Sequence, residues 1–141
     1  MSATNSADPA PRRKIDRLYR VLLPVYWVTL ATATHLPRVR LPGEIPSSDK
    51  LAHLVAFGLL AFLFWRFCEV VKPPLSARFV WLAAATLCVY AALDEYTQQF
   101  VGRGVELADW VADAAGSLIV LFVLEVRRRR VLRRASRHAA P

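Results

Sequence analysis

Apolar residues in this chain come in long unbroken blocks rather than in the alternation of a half-buried strand. The first block runs from about Leu18 to Leu36, and Pro24 near its start is expected to kink a helix or move its beginning. Pro37, Pro42 and Pro46 then mark a loop. Ser47, Ser48 and Asp49 are natural N-caps for a second helix over about Lys50 to Val71. Lys72-Pro73-Pro74 ends it, a third helix follows from about Ala77 to Phe100, and Gly102 and Gly104 make the next turn. The fourth runs from about Val105 to Val126, before Arg127-Arg128-Arg129-Arg130. Each block is close to the roughly 20 residues needed to cross a bilayer core. Helix is the expected form, because backbone groups in lipid must be satisfied within the segment. The fold class is therefore an all-α membrane protein, a four-transmembrane-helix bundle.

Composition agrees with this. Among 141 residues 55% are hydrophobic, which suits one integral membrane domain. The net charge of +8 would point to nucleic acid in a soluble protein, but here the basic residues cluster at the ends of apolar runs and no basic-aromatic module accompanies them. Arg12, Arg13, Lys14, Arg17 and Arg20 share one side with Arg66, Lys72, Arg78 and the Arg127 to Arg137 stretch. The other side has only Arg38, Arg40, Lys50 and Arg103. That excess puts both termini in the cytoplasm. The chain divides into a disordered tail (1–11), the membrane domain (12–126) and a basic tail (127–141) lying on the anionic inner leaflet. Ala31-Thr32-Ala33 after a basic lead resembles a signal-peptidase site. The run is long and holds Tyr26 and Trp27, so it is expected to be retained. Cys68 and Cys88 lie in apolar runs without CxxC spacing and read as small core residues.

The chemistry is concentrated near the outer ends of the helices. Helix two enters with Asp49, Lys50 and His53, helix three arrives with Glu95 and Gln98, Arg103 follows in the turn, and helix four leaves with Asp109 and Asp113. The three- and four-residue spacings put each set on one helix face. Carboxylates are costly against lipid, so these faces should turn inward to one another. Ala108, Ala112 and Gly116, four apart, would let a neighbouring backbone come close beside Asp109 and Asp113.

The pattern Asp49-Lys50-x-x-His53-x-x-x-Phe57, followed by Glu95-x-x-Gln98, Arg103, Asp109, Asp113 and Gly116, resembles the VanZ-like family of small bacterial membrane proteins, over roughly Leu36 to Leu124. The family position of Asp113 is usually Asn, so this chain carries an extra carboxylate there. The resemblance implies a multi-pass protein of the bacterial cytoplasmic (inner) membrane, associated with the cell envelope. In the founding member it implies reduced susceptibility to the glycopeptide antibiotic teicoplanin. It supplies no reaction.

Simpler readings stand beside the functional one. Asp49 serves equally well as a helix cap, and the helix dipole suffices for Glu106. Asp94 is expected to face the aqueous mouth. Glu95 sits at the wrong end of its helix for an anion and needs a partner, with His53 and Arg103 as the candidates. Glu69 and Glu125 are expected to form solvated pairs with Arg66 and Arg127 to Arg130. With Asp49, Glu95, Asp109 and Asp113 ionised, Lys50 and Arg103 leave the cluster about two units negative, which protonation, an ionised His53 or a cation would relieve. A divalent ion would have His53, Glu95, Asp109 and Asp113 as ligands, but no compact ligand motif supports one, so neither metal nor cofactor is expected. Three roles are open. One is a binding module for an envelope lipid, a lipid-linked precursor or a lipophilic glycopeptide; another is an enzyme modifying a lipid head group by acid-base chemistry; the third is a purely structural polar network.

Overall fold

The computed structural model describes residues 9–36 and 46–138, which are helix and connecting turn throughout. The elements are α1 (Pro9–Thr34), α2 (Pro46–Val71), α3 (Ala77–Gln98), a 3₁₀ turn (Gln99–Val101) and α4 (Leu107–His138). α2 and α4 share the most extensive contact and form the central pair, with α1 laid against α2 and α3 against α4. Three helical stretches, Ser48–Val71, Ala77–Val101 and Leu107–Arg137, are long and apolar enough to cross a membrane. The first half of α1 carries Arg13, Lys14, Asp16, Arg17 and Arg20. Its uncharged part, from Val21 to Thr34, falls short of the roughly 20 residues of a full crossing.

Local chemistry explains most of the boundaries. Ser76 caps α3, its side-chain oxygen accepting from the Phe79 N–H. Gly102 closes the turn after α3 with φ 77°, a left-handed conformation that suits glycine. α2 starts four residues earlier than the caps predicted. Pro46 opens the helix, and it is well placed there because a first-turn N–H has no helical partner to lose. Asp49 accordingly lies inside the first turn rather than before it. Pro24 leaves α1 as one continuous helix. The described helix begins at Pro9, within the stretch expected to be disordered, and α4 runs on through the basic tail to His138; the remainder of those tails and the Pro37 and Pro42 loop, with Arg38 and Arg40, lie outside the described residues.

α4 continues past Val126 because arginine is a good helix former and nothing between Arg127 and His138 breaks the ladder. Glu125 holds this continuation. It is buried, not solvated as expected, and accepts from Arg128 (2.7 Å) and Arg129, three and four residues on. Arg128 also donates to the Leu75 carbonyl (3.1 Å), tying α4 to the start of α3. Arg66 pairs with Glu69 and lies over the Tyr19 ring, so the basic ends of all four helices meet at one end of the bundle.

The core between the helices is built from Phe57, Leu60, Ala61 and Trp65 of α2, Leu87 and Ala91 of α3, and Leu121 of α4. Trp27 meets Tyr90 edge-on at 5.0 Å, and Tyr90 in turn stacks on Phe57, which joins α1, α3 and α2 through one aromatic group. Large apolar side chains also point outward, Trp81 at 80% exposure and Phe100 and Leu107 at 72% among them. An apolar exterior on this scale is what lipid, not water, accommodates.

Gly116 sets the closeness of the central pair. A Cβ added there would collide with the Leu54 carbonyl oxygen and stand 2.9 Å from its carbon. Ala112 is nearly buried beside it, whereas Ala108 is exposed and takes no part in the close approach. Gly116→Ala should therefore destabilise the protein by about 1–3 kcal/mol, the usual cost of overpacking, measured by unfolding in detergent. Gly58→Ala should cost clearly less, since its nearest neighbours stand 3.4 Å from the added carbon. Equal losses would contradict this packing.

Candidate functional site

The end of the bundle opposite the arginines collects the polar groups of all four helices. All eight residues that the spacing singles out lie there. Lys50 of α2 donates to Asp109 (3.0 Å) and Glu106 (3.3 Å) across the α2–α4 interface. One turn deeper, His53 stands between two carboxylates of α4: Nδ1 is 3.0 Å from Asp113 Oδ1, and Nε2 is 3.7 Å from Asp109 Oδ2. His53, Asp109 and Asp113 are all buried, Asp113 completely. Asp49 is half-buried beside them.

α3 supplies the facing wall. Glu95 is buried and accepts from the Gln98 amide (3.2 Å) and the Glu106 backbone N–H (3.2 Å). Gln98, 1% exposed, divides its amide N–H groups between Glu95 and Asp94. Of the two candidate partners for Glu95, His53 and Arg103, neither is hydrogen-bonded to it, its acceptors being taken by Gln98 and the Glu106 backbone. Arg103 instead donates to the carbonyl of Thr34, the last residue of α1, where a helix leaves acceptors unsatisfied. Among the described residues no carboxylate is paired with Arg103.

Asp94 is where the expectation fails most clearly. It does not face open water but is 3% exposed, with Thr34 donating to Oδ1 (3.1 Å) and Gln98 to Oδ2 (3.1 Å). One residue along a helix turns the side chain by about 100°, so Glu95 faces α2 and α4 while Asp94 faces α1. His35 completes that contact. Its Nδ1 lies 2.8 Å from the Ala31 carbonyl, so that nitrogen carries the proton, and its Nε2 lies 3.0 Å from Thr97 Oγ1. Thr34, His35, Tyr90, Asp94 and Thr97 thus belong to the polar end. The Tyr90–Asp94–Gln98 spacing was the available signal, since three polar groups four apart mark one face.

A pocket of about 290 Å³ opens beside this cluster, at the α1–α2 seam. Asp49, His53, Thr34 and Arg103 give it a polar side, and Leu30, Leu36, Ala56 and Phe57 an apolar one. The site can therefore take a ligand with a charged or hydrogen-bonding head and an apolar body. Side chains with acid-base capacity are present in His53 and the carboxylates.

No curated protein and no solved structure matches the chain. The sequence pattern of one family, described as VanZ/LLP1, matches residues 4–128, further toward the N-terminus than the polar motifs alone and across α1 to α4. With nearly its whole length covered, the chain belongs to the VanZ/LLP1 family.

Proposed function

We propose that this protein crosses the bacterial cytoplasmic membrane four times, with both termini in the cytoplasm, and binds the head group of an envelope lipid or lipid-linked precursor in the pocket at the α1–α2 seam. The observation that carries the reading is the two-sided lining of that pocket. A cationic group without a carboxylate partner among the described residues, Arg103, stands opposite an apolar wall, as an amphipathic anionic ligand requires. α1 counts as the fourth crossing because its outward residues Leu22, Val25 and Val28 are exposed and apolar, and because Arg13, Arg17 and Arg20 can reach the interface along their stems. The pocket volume favours a head group over an entire glycopeptide, so any effect on such an antibiotic would come through the lipid it targets.

A structural network is the second reading, favoured by the number of polar groups that bond between helices: Thr34 to Asp94, His35 to Thr97, Lys50 to Asp109, His53 to Asp113. An enzyme acting on the head group ranks behind both.

Lipid co-purifying with the protein, identified by mass spectrometry, separates the first two readings. Arg103→Ala removes one charge-assisted contact of about 1.5–3 kcal/mol, so anionic lipid retention should fall about tenfold or more with little change in melting temperature. An unchanged lipid profile with a lowered melting temperature would leave only the structural role. Topology has its own check: a reporter fused after Gly102 should be active outside the cytoplasm, and reporters at either terminus active inside. The reverse pattern would overturn the proposed orientation.

A further inference from the structure

Below the pocket, the side chains of His53, Glu95 and Asp113 converge in an enclosed position. All three are buried, and one ligand atom from each lies within 4.8 Å of the other two. Asp113 is the deepest of them, with no exposure. Its Oδ1 is turned to His53, and its Oδ2 has no hydrogen-bond partner among the described residues. Buried carboxylate oxygens are seldom left bare, because nothing then replaces the water they have lost.

We infer that His53, Glu95 and Asp113 bind a divalent cation of the zinc or manganese type. An imidazole nitrogen with two carboxylates suits these ions better than magnesium or calcium, which take all-oxygen sets. Three atoms at most 4.8 Å apart have a common centre at most about 2.8 Å from each, so contraction by some tenths of an ångström reaches the roughly 2.0–2.2 Å of zinc bonds. The Nδ1–Oδ1 separation of 3.0 Å is already near the edge of such a coordination shell.

The surroundings support the same assignment. A metal-bound imidazole usually donates its other N–H to a carboxylate, which fixes the ring. With Nδ1 on the cation, Nε2 is left on the side of Asp109, whose Oδ2 stands 3.7 Å away, and Lys50 in turn holds Asp109 (3.0 Å). Charge points the same way. The carboxylates of this end, Asp49, Asp94, Glu95, Glu106, Asp109 and Asp113, outnumber the cations Lys50 and Arg103, an excess that a bound cation would reduce. No compact ligand motif precedes this arrangement in the chain, because the three residues come from three different helices.

The inference goes beyond head-group binding and is tested without lipid. Full-length protein in detergent is equilibrated with zinc or manganese, exchanged into metal-free buffer and its metal content measured, with melting followed in parallel. The wild type should retain about one ion per chain and melt higher with metal than without. Glu95→Gln and Asp113→Asn should each weaken binding at least tenfold, while Glu69→Gln, at the opposite end of the bundle, should leave it unchanged. A wild type that neither retains metal nor gains thermal stability from it would overturn the site, as would undiminished binding in a folded Glu95→Gln or Asp113→Asn variant. Should either variant fail to fold, the wild-type stoichiometry and melting shift decide the question. Binding kept in Glu95→Gln and Asp113→Asn but lost in Asp49→Asn would place the ion in the neighbouring Asp49–His53–Asp109 group and overturn this assignment.

Discussion

The structure depends on how carboxylates can be buried at one end of a bundle whose exterior is apolar. Asp94, Glu95, Asp109 and Asp113 are each at most 3% exposed, and an isolated buried charge is prohibitive. Each carboxylate therefore finds its partner on another helix or at the turn between α3 and α4. Asp94 takes Thr34 from α1, Asp109 takes Lys50 from α2, Asp113 takes His53 from α2, and Glu95 takes the Glu106 backbone. Removing one member strands the other, so the four helices are fixed in relative position by groups that would otherwise drive them apart. Gly116 makes this possible on the α2–α4 side by letting the two backbones approach closely enough for His53 to reach Asp113.

The bundle is polarised as a result. One end gathers Arg66, Arg128 and Arg129 with Glu69 and Glu125, and the other the mixed-sign cluster and its pocket. Aromatic and aliphatic side chains fill the space between. Exposed apolar residues of all four helices suit lipid contact, and the pocket at the α1–α2 seam lies beside that exterior rather than sealed from it.

Much of this was legible in the order of residues. The apolar lengths, the Lys72-Pro73-Pro74 stop and the Gly102 turn located α3 and the start of α4, because these features act through local backbone preference. Helical spacing identified Lys50, His53, Glu95, Gln98, Asp109 and Asp113 as inward groups, because a carboxylate facing lipid is the worse alternative. The end of α4 was not legible from apolarity, which reports the surroundings of a helix and not its length; arginine continues a helix well into water or head groups. Nor was the role of Asp94, Thr34 and His35. Which face of α3 meets α1 is a tertiary fact, and Asp94 beside Glu95 carries no sign of which neighbour each will find. Arg103 shows the same limit, since a helix-end carbonyl competed successfully for it against the carboxylates.

The most direct test of the central claim is the coupling between His53 and Asp113. A double-mutant cycle with His53→Ala and Asp113→Ala, read as unfolding free energy in detergent without added metal, isolates their interaction from the rest of the cluster. The account predicts a coupling of about 1 kcal/mol or more, in the upper part of what pairs between membrane helices reach. Single-variant losses that simply add, to within about 0.3 kcal/mol, would contradict it.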